Sequence, residues 1–208
     1  MPNICLIAAM RAEIPYMLKN ASGTYRIGDN AIRFVVSGIG PRKARRATQQ
    51  VCNGALGFLP DLLINSGFCG AAQNGLGIGQ LIVADRLTYG DREIQLDDNL
   101  IENIVGILIE AEFHVGKLQT FNWPVLSRAR AAPDTLAVDM ESFAIAHMAA
   151  KYRIPAVFIK AVSDIVPERT SMIGLLNFVR SCKVGSKKAR TSLNINVNKI
   201  CADQGLGK

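Results

Sequence analysis

The chain has 208 residues, 49% of them hydrophobic, and its 24 Lys and Arg against 17 Asp and Glu give a net charge of +7. That length supports one domain with a sizeable core, and that composition excludes a disordered or low-complexity polypeptide. No apolar run approaches the roughly 20 residues that span a bilayer, and the only two histidines, His114 and His147, stand apart from every cysteine, which argues against a zinc centre.

In chain order, the apolar pattern alternates between short β-rich runs and longer helical ones. Residues 3–8 read as a first strand and 11–19 as a first helix, with no basic leader and no cleavage signal ahead of them. Strands are predicted at 31–37, 62–66, 79–84, 116–120, 136–139 and 156–162, and helices at 41–57, 98–112, 140–152 and 174–198. Pro41 suits the first turn of its helix, Asp97-Asp98 caps the next, and Pro60 and Pro155 separate helices from the strands that follow. Strands alternating with helices of this length imply a mostly parallel sheet covered on both faces, in a single domain over residues 1–208.

Five cysteines, odd in number and free of CxxC spacing, read as reduced thiols of a cytoplasmic protein. The excess positive charge gathers in PRKARR (41–46) and KVGSKKAR (183–190). Such clusters attract phosphates, nucleic acid or an anionic membrane face, although a solvated helix face is their ordinary account. No aromatic residues interleave them, so single-stranded nucleic acid is not the expected partner.

Chemistry concentrates at strand ends, where open α/β sheets bind ligands. Ser37-Gly38-Ile39-Gly40 is a glycine turn feeding a helix, where backbone amides can approach an anion or a ribose. Asn65-Ser66-Gly67-Phe68-Cys69-Gly70 reads as a small-residue loop that lets a ligand, or simply a neighbouring strand, come close to the main chain. Glu13 starts the first helix, where a helix-dipole partner is the plain explanation. Asp139-Met140-Glu141 sets two acids where a strand gives way to a helix; a carboxylate there can grip vicinal hydroxyls, and capping accounts for Asp139 without requiring Glu141. His147 repeats at helical spacing with Phe143 and reads as a packed or surface residue. Asp164, after Ser163, ends an apolar strand, an environment that raises a carboxyl pKa and makes a general acid, unless it caps the next segment.

Taken together, AAMRAE, SGIG, INSGFCG, IGQLIVAD, VDMES and AVSD, in this order over roughly residues 4–166, resemble the purine and uridine phosphorylase superfamily. The likeness is to its methylthioadenosine/S-adenosylhomocysteine nucleosidases and to the hopanoid-associated phosphorylases, toward which Ser142 and Pro41 lean. The resemblance implies a three-layer α/β/α fold with a mixed, mostly parallel central sheet and cleavage of the N-glycosidic bond of a purine nucleoside through an oxocarbenium-like transition state. By position it implies that Glu13 orients the nucleophilic water, that Glu141 binds the ribose hydroxyls with Met140 packed under the sugar, and that Asp164, with Ser163 beside it, protonates N7 of the base. Phe121, with Trp123 an equal candidate, falls where the family sets an aromatic residue against the base.

Arg11, Gly38, Ser66, Gly67 and Lys160 flank the nucleophile region, with Arg42 nearby, so phosphate is open as a co-substrate beside water, with a slight lean to phosphate; no other cofactor is expected. Lys160 stands where an arginine is usual and Phe68 where a serine is, which leaves a non-catalytic nucleoside-binding protein on the same scaffold as the alternative. The family likeness also implies a homo-oligomer, and a lipid-linked substrate would bring the basic C-terminal region to a membrane face.

Overall fold

The computed structural model describes residues 2–14, 24–108, 110–169 and 172–203, without the side chains of 172–186. Strands β1 (Asn3–Ala8), β2 (Tyr25–Ile27), β3 (Asn30–Val36), β4 (Leu62–Ala71), β5 (Leu81–Tyr89), β6 (Arg92–Gln95), β7 (Phe113–Thr120), β8 (Thr135–Asp139) and β9 (Ala156–Ile165) form one sheet. Helices α1 (Pro41–Cys52), α2 (Asp98–Ile107), α3 (Ser142–Lys151) and α4 (Met172–Ala202) cover it.

The three-layer expectation follows from β1 alone. Its residues are buried on both faces, and they divide by parity, Ile4 and Leu6 into one core, Cys5 and Ile7 into the other. On the first face Ala189, Leu193, Val197 and Ile200 of α4, with Ile101 and Ile104 of α2, close over Ile64 and Ile159. On the second, Ala44 and Val51 of α1, with Ile145, Ala146 and Ala149 of α3, close over Leu63 and Phe158.

The sheet is mixed. β3, β1, β4 and β9 run parallel, as do β5, β7 and β8, and the two groups meet antiparallel at β5–β9 and at β4–β8. Strands β4, β9, β5, β7 and β8 therefore close into a ring, and the antiparallel β2 and β6 pair at the outer ends of the path.

Several boundaries differ from the sequence reading. The segment 67–71 is strand, because β9 and β8 both offer it partners. Helix α1 stops at Cys52, and Gly54 and Gly57 turn at φ 74° and 76°. Helix α2 stops at Ile107, since Phe113 to Val115 pair with β5 and the Glu112 carbonyl accepts from Leu81 N. At the first predicted helix only a 3₁₀ turn, Arg11–Glu13, lies among the described residues; 15–19 fall outside them. Short, charged β2 and β6 carried no periodic signal.

Because Leu193 is 1% exposed in the layer that α4 seals, Leu193→Ala should destabilise the protein by about 2–5 kcal/mol, read as a lower urea midpoint at unchanged m-value. A midpoint within error of the parent would show that α4 does not hold that face.

Candidate active site

The site is set by an irregularity in β9. Cys69 pairs with Val162 but Gly70 pairs with Asp164, leaving Ser163 as the extra residue of a β-bulge. Without it, pleating would send Asp164 to the same face as Lys160. With it, Asp164 turns to the side of Gly70, where a Cβ added to the glycine would lie 3.1 Å from Asp164 Oδ2. Ser163 Oγ donates to Asp164 Oδ1 at 2.7 Å, with the Cys69 carbonyl oxygen at 3.2 Å as its other acceptor. Asp164 is 5% exposed, and burial pushes its carboxyl above the ordinary range, opposed only in part by the Ser163 hydroxyl.

Glu13 is fixed by backbone donors: Met10 N reaches Oε2 at 2.8 Å and Phe68 N reaches Oε1 at 2.9 Å, while Ser66 Oγ donates to the Glu13 carbonyl at 3.3 Å. Burial raises its pKa, and Lys160 and these amides pull against the rise. Gly67 is what lets Lys160 and Glu13 approach: a Cβ there would stand 3.0 Å from Lys160 Nζ and 3.2 Å from Glu13 Oε1.

The two acids of Asp139-Met140-Glu141 have different duties. Asp139 is saturated, accepting at Oδ1 from Thr120 Oγ1 (2.7 Å) and at Oδ2 from Ser142 N (3.0 Å) and Oγ (2.5 Å), with Lys160 Nζ 3.0 Å away. It caps α3 and neutralises the lysine. Among the described residues Glu141 accepts from Gly40 N alone, at 2.7 Å on Oε1, in the turn where Gly40 adopts φ 98°. Its pKa is pushed up to about 7, by burial first and by Asp139 next, against the pull of Lys160 and the Gly40 amide. Burial works to lower the Lys160 ammonium, yet Asp139, Glu141 and Glu13 together carry it above its usual value.

These groups frame a cleft of about 500 Å³, with Glu13, Met140, Glu141, Ser163 and Asp164 on its wall. Ile39, Phe68 and Trp123, 51% and 72% exposed at Ile39 and Trp123, add apolar surface. The remaining candidates lie elsewhere. Arg11 is exposed and off the wall, Arg42 lines a different cavity, and Gly38, Ser66, Gly67 and Lys160 sit behind the lining. Phe121 packs against Val125, Val138 and Val166 with the Arg130 guanidinium 5.9 Å from its ring centroid, so of the two candidates for the base it is Trp123 that lines the cleft. Sequence reasoning missed Ile39 and the anchor Thr120, whose only signal was a hydroxyl at a strand end. Among the described residues no lysine or arginine lines the cleft.

A carboxyl whose folded pKa exceeds its unfolded value binds more protons in the folded state, so the stability it contributes is present at low pH and lost as pH rises through the folded value. For Glu141 the window runs from about 4.5 to about 7. Glu141→Gln should therefore flatten the fall in stability across that interval, measured by urea midpoints at several pH values. A slope identical to the parent's would contradict the burial assigned to Glu141.

The sequence matches the family model described as the Phosphorylase superfamily over residues 4–190. A 5′-methylthioadenosine/S-adenosylhomocysteine nucleosidase of Staphylococcus aureus (strain MRSA252) is 25% identical over 173 residues, covering 69% of this chain and 73% of the relative. Among solved structures, the nucleosidase of that name from Neisseria meningitidis, in complex with methylthio-immucillin-A, superposes at TM-score 0.83 with 22% identity over 97% of this chain and 99% of its own. Futalosine hydrolase of Helicobacter pylori strain 26695 reaches TM-score 0.76 with 19% identity over 94% and 97%. The structural likenesses speak for the fold, and the family match over most of the length decides membership: the chain belongs to the phosphorylase superfamily.

Proposed function

We propose that the chain cleaves the N-glycosidic bond of an adenosine-like purine nucleoside, with water as the acceptor. The observation that carries this is one cleft lined by four carboxyls, of which Asp139 is spent on Lys160 and α3 while the other three sit in three different environments. Asp164, buried and among the described residues in no ion pair, has a carboxyl that burial pushes toward the protonated form, which suits it to deliver a proton to the departing base. Glu141 has one oxygen tied to Gly40 and the other free for the ribose hydroxyls, and its negative charge favours the cationic sugar of the transition state. Glu13, held by backbone amides with Lys160 nearby to favour ionisation, is placed to orient a water. Met140 and Trp123 supply apolar surface for the sugar and the base, and exposed Ile39 suits an apolar 5′ substituent.

Water is favoured over phosphate because phosphate needs cations, ideally forked arginines. Arg11 points to solvent and Lys160 is committed to Asp139. The leaning toward hopanoid-associated members loses weight on the same grounds, since Ser142 serves Asp139 and Pro41 opens α1. A non-catalytic binding protein would leave unexplained why three carboxyls with such different partners line one cleft.

Base release from adenosine, inosine and 5′-methylthioadenosine, followed by chromatography with and without phosphate, tests the proposal. Release is expected without phosphate, with free ribose or its 5′-substituted form as the second product. Asp164→Asn should lower it about a hundred- to ten-thousand-fold while the far-UV spectrum stays unchanged, and Glu13→Gln should be similarly impaired. Near-parental rates in Asp164→Asn would remove the general-acid role, and tight nucleoside binding with no release would support the binding protein.

A further inference from the structure

Behind the cleft lies a second cavity of about 210 Å³ with the opposite electrostatic character. The two share a wall: Thr120 lines the second cavity while its hydroxyl bonds Asp139, and Pro41 lines it while neighbouring Gly40 bonds Glu141. Arg42 and Arg45 reach the cavity from α1, where i,i+3 spacing puts both on one face. Arg92 reaches it from the start of β6 and His147 from α3. Among the described residues no carboxylate lines it and none of the three arginines is in an ion pair.

Arg92 is exposed, but two rings hold its guanidinium. Its guanidinium lies 5.1 Å from the Tyr89 ring centroid and 5.2 Å from that of Phe143, whose ring in turn stacks on His147 at 6.4 Å and 6°. A guanidinium stacked on rings keeps the N–H groups along its edge free for in-plane acceptors. The Tyr89 hydroxyl donates to Asn122 Oδ1 at 2.9 Å, which leaves the Asn122 amide nitrogen as a further donor at the rim. Three like charges gathered from separate elements repel one another, and what relieves them is a compact ligand with several acceptor oxygens.

We propose that this cavity binds a phosphate-type oxyanion, either inorganic phosphate or the phosphate group of a small monoester, at a site separate from the cleft assigned to bond cleavage. Calorimetric titration of the full chain at constant ionic strength tests it, with inorganic phosphate in one arm and glycerol phosphate in the other; the tighter of the two names the source. Saturable binding of one anion per chain is expected. It should weaken about tenfold or more in Arg45→Gln/Arg92→Gln, which removes two charge-assisted donors, and persist in Asp164→Asn. The single Arg45→Gln, at an exposed position clear of the ring stack, guards against misfolding of the double variant and should weaken binding in the same direction. Absence of saturable heat with either anion overturns the proposal, as does unchanged affinity in the arginine variants. Affinity lost in Asp164→Asn but kept in the arginine variants overturns it too, because the anion would then sit in the cleft.

Discussion

An ammonium 2% exposed inside a protein is tolerable only with a partner, and here Lys160 has Asp139 at 3.0 Å. That pair organises everything around the cleft. It joins β9 to the end of β8, and the saturated Asp139 then holds the first turn of α3 through Ser142 and the end of β7 through Thr120. Glu141, two residues on, is delivered to the cleft wall by an anchor whose oxygens are already engaged by Thr120, Ser142 and Lys160. Toward Glu13 the same ammonium acts across Gly67 as a point charge. A lysine suffices because the task is to neutralise several carboxylates at once; a guanidinium fork would be committed to one of them.

The same carboxyl chemistry thus yields different behaviour through local donors. Among the described residues Asp139 has a full set of hydrogen bonds plus a cation, Glu13 the amides of Phe68, Met10 and Ala9 and a more distant cation, Glu141 the Gly40 amide, and Asp164 a lone hydroxyl. Fewer donors leave desolvation less opposed, which favours the protonated form where a leaving base needs a proton. Such gradation cannot be had from four acids on an open surface; it requires the backbone amides of the turns at Met10 and Gly40 and the bulge at Ser163.

Much of this was legible in the sequence. The alternation of apolar runs gave the layers, acids at strand ends pointed to Glu141 and Asp164, and the family resemblance added Glu13; the three do share one cleft. What stayed hidden depends on tertiary pairing. The bulge at Ser163 is a register shift against β4, and nothing in AVSD announces it. Residues 67–71 look like a loop because glycine and alanine carry little β-propensity, yet two neighbouring strands supply their hydrogen bonds. Arg11 and Phe121 lie close in sequence to residues on the cleft, but their side chains go to solvent and to the small core around Val125 and Val166. Proximity along the chain says little about which side of a turn a side chain takes.

The distribution of charge has a consequence for the chemistry. The cleft wall carries acids and no cations among the described residues, while Arg42 and Arg45 of PRKARR line the cavity that Thr120, the partner of Asp139, also lines. A cleft so charged favours a sugar that becomes cationic as the bond breaks and disfavours entry of an anion. Phosphate would therefore be drawn to the basic cavity and not to the position of the nucleophile. Any influence of phosphate on rate or stability would then pass through the shared wall, where Gly40 holds Glu141 and Thr120 holds Asp139. Stimulation by phosphate would not by itself mean phosphorolysis, and the acceptor is decided by whether the sugar leaves as the free ribose or as its 1-phosphate.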